Sequence, residues 1–99
     1  MRYFKDTVGL AIRLETGQDV SSATNIVFNI RKPNGKKVTW SGTAYQTTKL
    51  QYVTQSGDLD VAGWYSVYPT LAIGGWVGAG TPTNFLIEDP EKPDKKYNL

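Results

Sequence analysis

The chain has 99 residues, contains neither cysteine nor histidine, and carries a formal net charge of +2. That length suits one domain, and the two missing residue types exclude disulfides, thiolate metal sites, and the commonest general base and metal ligand. Eleven basic and nine acidic residues are scattered in both signs, which is not the concentrated basic face of a nucleic-acid binder; no apolar run approaches the ~20 residues of a membrane span, and Met1 to Asp6 lack the apolar core of a signal peptide.

Apolar residues alternate along the chain with no sustained helical period, so strands are expected throughout. Val8, Leu10, Ile12 and Leu14 alternate with Gly9, Ala11 and Arg13, predicting a half-buried first strand that ends at Glu15 to Asp19. Val20 to Thr24 reads as a small polar connection with room for one helical turn. Residues 25–32 alternate again, with Ile26, Phe28 and Ile30 on one face. Lys32-Pro33-Asn34-Gly35 is a strong turn signal, because proline presets φ and Asn34-Gly35 tolerates positive φ. A third strand is expected over 36–45 with Val38 and Trp40 on one face, and a fourth over 49–54 with Leu50 and Tyr52 facing one way.

The segment Leu59-Asp60-Val61-Ala62-Gly63-Trp64-Tyr65-Ser66-Val67 joins an acidic turn to a β-rich run. It has the pattern of a tyrosine corner, in which a tyrosine near the start of a late strand sends its hydroxyl back to the upstream turn. Asp60, Gly63 and Tyr65 are the residues that would build it. A fifth strand over 63–73 follows, then a two-residue hairpin of the primed type at Gly74-Gly75, then a sixth strand over 76–88. A regular hairpin pairs 73 with 76 and 67 with 82, which would strand Phe85 and Ile87 outside. One extra residue repairs the mismatch; Gly78-Ala79-Gly80 is the favoured place for the bulge, and a register shift at Pro69 is the alternative. The predicted fold is an all-β, immunoglobulin-like antiparallel β-sandwich of about six to seven strands. Strands one and four form one sheet, strands two, five and six the other, and the third lies on an edge. A small open barrel is the alternative with the same strand count.

No catalytic or metal site and no cofactor is expected. Serines 21, 22, 41, 56 and 66 have no histidine to activate them, and no Ser-x-x-Lys spacing occurs. Asp58 and Asp60 read as caps of the corner turn in preference to a Ca²⁺ site, since they lack the dense oxygen donors of a calcium loop. The glycine-rich stretch 74–80 leads into a strand and lacks the Lys-Ser/Thr of a phosphate loop. Arg31, Lys32, Lys36 and Lys37 flank one turn and read as a solvated cluster, with contact to an acidic partner as the alternative. Trp64 and Tyr68, together with Trp76 and Tyr45, are the interface candidates, since exposed Trp and Tyr are common binding anchors. The domain is expected to span 1–88. Residues 89–99 are charged and proline-broken, and read as an extended tail, either solvated or anchored on a neighbouring subunit by Tyr97 and Leu99.

Four motifs recur in one order: Leu14-Glu15-Thr16-Gly17-Gln18-Asp19; Arg31-Lys32-Pro33-Asn34-Gly35-Lys36 leading to Val38-Thr39-Trp40; Tyr52 to Asp60; and the closing glycine-tryptophan hairpin. In these motifs, across about residues 7–88, the chain resembles small phage virion proteins with immunoglobulin-like folds, and is similar to the N-terminal domain of phage baseplate upper proteins. The resemblance implies a non-enzymatic structural component of the virion, in the tail or baseplate, contacting other virion structural proteins and copies of itself. It would be made in the host cytoplasm and carried in the particle, with no nucleic-acid or membrane partner. Capsid decoration and a host-surface carbohydrate-binding module, with Trp64, Trp76 and Tyr68 as its stacking platform, are the alternatives. The chain departs from the baseplate proteins in stopping after one domain.

Overall fold

Alternating side chains sort the chain into two facing sheets in a computed structural model that describes residues 3–91. The strands are β1 (Tyr3–Phe4), β2 (Ala11–Glu15), β3 (Thr24–Arg31), β4 (Lys37–Ser41), β5 (Thr43–Tyr45), β6 (Lys49–Val53), β7 (Gly63–Ile73), β8 (Trp76–Ala79) and β9 (Thr83–Glu88). The larger sheet runs β1-β9-β7-β3-β4, with β8 also on β7, and the smaller runs β2-β6-β5. β1 pairs with β9 in parallel, and the other ladders are antiparallel. The result is an all-β, sandwich-like molecule.

The core lies where the inward faces meet. Phe28, Ile30, Trp40, Tyr65, Val67, Leu71 and Ile87 come from the larger sheet, and Leu14 and Leu50 from the smaller. Trp40 stacks on Tyr52 with ring centroids 4.7 Å apart, joining the two layers by a face-to-face aromatic contact. Val20 and Leu59 plug the core from connecting segments. The expected polar connection at 20–24 is therefore anchored by a buried valine, and Ala23 donates its N–H to Val20 O to close a single turn.

Three expected strands are shorter or divided, the sixth into β8 and β9. The first begins at Ala11, and Val8 lies outside it and is exposed. Gly9 takes φ +88°, and Thr54 holds the bend, its hydroxyl accepting from Leu10 N and donating to Thr7 O. The expected third strand splits at Gly42, so that β4 extends the larger sheet and β5 crosses to the smaller. Gly42 is packed on the core: a Cβ there would lie 2.7 Å from Phe28 Cε1 and 2.9 Å from Ile26 Cγ2. A short N-terminal strand, β1, had no signal in the sequence pattern.

The last hairpin follows the parity argument with a change of place. Ile73 pairs with Trp76, but Val67 pairs with Thr83, so one extra residue lies between. Phe85 and Ile87 consequently face inward opposite Tyr65 and Gly63. Gly78 sits in the regular ladder opposite Leu71, so the slip falls beyond Ala79 and not within 78–79. Gly80 N donates to Pro69 O at 2.8 Å. A strand residue's N–H and C=O point the same way, so the proline nitrogen, which has no hydrogen to donate, faces the kink. Glycine 80 and proline 69 together make the slip. β3 carries a second slip, between Thr24 and Val27, where Asn25 takes φ +53°.

Candidate interaction surfaces

The acidic turn before β7 is locked by four hydrogen bonds and one close packing contact. Tyr65 is fully buried and its hydroxyl donates to Val61 O at 2.6 Å while accepting from Val61 N at 3.2 Å. Burial raises its pKa. Gly63, at φ +133°, lies against Pro33, whose Cβ would be 2.7 Å from any added methyl. Asp58 caps its turn by accepting from Gln55 N at 2.7 Å and from the Tyr52 hydroxyl. Burial, reinforced by that acceptor, pushes Tyr52 up to about 12.

Asp60 does something other than cap. Its carboxylate accepts from Lys32 Nζ at 2.6 Å, and that hydrogen bond holds its pKa below the ordinary carboxylate value. Lys32 is 6% exposed, so the expectation of a wholly solvated basic cluster fails at this residue. The signal was present in the sequence: Ile26, Phe28, Ile30 and Lys32 share one parity, and that parity points inward. Desolvation demands a partner for a buried ammonium, and Asp60 supplies it. In the neighbouring turn, Gly35 N donates to Lys32 O at 2.9 Å and Lys36 N to Asn34 Oδ1 at 3.0 Å. Only Gly35 of the Asn34-Gly35 pair uses positive φ, at +86°.

The aromatic interface candidates occupy three separate surfaces. Trp64, 63% exposed, and Tyr68 lie on the outer face of the larger sheet. Trp64 stands directly opposite Leu86 on β9, while Phe4 on β1 lies on the same face two residues along, opposite Glu88. Tyr68 stands opposite Asn29 and borders a shallow groove with Arg31, Lys37 and Thr39.

Trp76 pairs with Ile73 and so belongs to the opposite, core-facing side of the sheet. It is nevertheless exposed, because it faces an open seam between β2 and the β8–β9 kink. Its ring covers Gly78, where a Cβ would come within 2.4 Å of Cζ2. Gly74 opens the hairpin with φ +57°, and Gly75 follows without positive φ, as in a type II′ turn. Tyr45 lies on the outer face of the smaller sheet beneath the Arg13 guanidinium, 4.3 Å from the ring centroid. Trp64, Tyr68 and Trp76 therefore do not form one stacking platform. Tyr97 and Leu99 lie outside the described residues. Asp89, the first residue of the expected tail, pairs with Lys5 at 3.7 Å.

Among the described residues no group of three His, Cys, Asp or Glu side chains is placed to hold a metal ion. Comparison with family models, with curated proteins and with solved structures gives no match.

Proposed function

We propose that this chain is an immunoglobulin-like, non-enzymatic structural module of a phage virion, seated in the tail or baseplate and held by contacts with other virion proteins and with copies of itself. Three features support the fold half of this reading. The β2-β6-β5 sheet has the order of strands B, E and D, and β3, β7 and β9 that of C, F and G. β1 runs parallel to the last strand, and Tyr65 bonds back to Val61. The motif order from Leu14 to the glycine-tryptophan hairpin supports the virion half.

The observation that carries the functional half is the outer face of the larger sheet. Trp64 and Leu86 form an exposed apolar pair across β7 and β9, and Phe4 is exposed on the same face. Exposed aromatics on a stiff scaffold are what protein contacts use, since their burial costs little side-chain entropy. Capsid decoration is the same reading with a different docking site.

A carbohydrate-binding role is favoured by one observation, that Tyr68 borders its groove beside Asn29 and Arg31, the polar neighbours a stacked sugar requires. Peptide mass spectrometry of purified particles tests the proposal: the protein is expected at many copies per particle, and particles without it end the structural reading. Particle-free protein that binds host polysaccharide through Tyr68 would select the carbohydrate role.

A further inference from the structure

We propose that the free edge of β2 pairs with the β2 of a second copy, in an antiparallel register centred on Leu14. This deepens the self-association part of the proposed function and rests on it.

The edge is open by construction. Thr54 N donates to Leu10 O and Thr16 N to Thr48 O, both at 2.9 Å, so the even residues of this segment point their backbone groups toward β6. The odd ones, Ala11, Arg13 and Glu15, then point theirs away from it. Among the described residues no segment pairs with that side. In an immunoglobulin sandwich this is where strand A continues the sheet beside B. The seam next to it, toward the β8–β9 kink, mixes Leu14, Leu71 and Trp76 with Arg13, Glu15 and Thr83. A strand added to β2 would border this mixed seam.

Three other edges are less suited to pairing. β5 has three residues and β1 two, while β4 begins with Lys37 next to Lys36, a run of one sign that repels its own copy. β2 carries opposite signs two residues apart, Arg13 and Glu15, both exposed on the outer face. Centring a two-fold pair on Leu14 sets Arg13 opposite Glu15 of the second copy, and Glu15 opposite Arg13. Both are odd residues with free backbone groups, so the same register makes four ladder hydrogen bonds and two ion pairs. Arg13 is already held flat on the sheet, donating from Nε to Gln51 Oε1 at 2.7 Å and lying over Tyr45. These contacts draw the guanidinium across β6 toward β5, so on pairing the side chain swings back to the open edge to meet the partner carboxylate.

Sedimentation velocity of the purified chain tests this. The wild type is expected to dimerise, and Arg13→Glu or Glu15→Arg alone to weaken the dimer about tenfold or more by setting like charges opposite each other. The double reversal Arg13→Glu/Glu15→Arg, and an equimolar mixture of the two single variants, should both restore it, which separates a broken interface from a misfolded chain. A monomeric wild type, single variants that dimerise as well as wild type, or a mixture that stays monomeric would each overturn the pairing. The particle assay is independent: a monomer found in particles ends only this interface, and a dimer absent from particles ends only the virion reading.

Discussion

The two faces of β7 carry opposite kinds of residue over the same eleven positions. Tyr65, Val67 and Leu71 point into the core and are almost wholly buried, whereas Trp64 and Tyr68 stand out in solvent on the other face. The inner residues gain their free energy on folding, at about 25 cal/mol per Å² of apolar area removed from water. The outer aromatics leave much of theirs ungained until something covers them. One strand thus separates stability from contact, residue by residue, and substitutions on its two sides should have different consequences.

The largest effect belongs to the inner face. Tyr65→Ala should cost about 3–5 kcal/mol through cavity formation, a large share of a marginal domain's stability of about 5–15 kcal/mol. Tyr65→Phe keeps the ring and removes only the bond to Val61, so it should cost about 1–2 kcal/mol. Urea unfolding of both variants checks the ladder; equal losses would mean that the hydroxyl, not the ring, holds the corner.

A smaller effect is expected from the ion pair beside it. Asp60→Asn leaves the buried Lys32 ammonium without its anion, but the Asp60 side chain is itself half-exposed. Solvent screening should hold the cost to about 1–2 kcal/mol. Because pairing depresses the Asp60 pKa in the folded state, its contribution is full above the ordinary value of 3.8 and is lost as pH falls through the lower folded value. The wild-type advantage over Asp60→Asn in thermal melts should therefore shrink below about pH 4. An advantage unchanged at low pH would assign the loss to something other than the charge.

Much of this architecture could be read from parity. Period-two alternation located β3, β6 and β7, the sandwich pattern gave the sheet partition apart from the crossing of β5, and the need to turn Phe85 and Ile87 inward forced the extra residue in the last strand. The turn at Gly35 and the hairpin at Gly74 followed from glycine's freedom at positive φ.

What escaped were features set by long-range packing. The crossing at Gly42 depends on the closeness of Phe28 and Ile26, and the parallel pairing of two-residue β1 has no local pattern at all. Lys32 is buried against the expectation from its residue type because it shares the inward parity of Ile26, Phe28 and Ile30. Trp76 has core-side parity but faces an open seam beside β2, so alternation alone could not give its exposure. For the surfaces, composition indicated which residues could make contacts, while only the folded geometry separated Trp64 and Tyr68 from Trp76 and Tyr45.

Trp64 and Tyr65 are sequence neighbours on opposite sides of one sheet, and Trp64→Ala is the sharpest probe of the division between them. The measurement is particle incorporation of Trp64→Ala beside wild type, with the thermal midpoint of each purified protein recorded in parallel. The account predicts a stability loss of about 1 kcal/mol or less together with a severe loss of incorporation. Undiminished incorporation, or a collapse of the fold comparable to Tyr65→Ala, would contradict it.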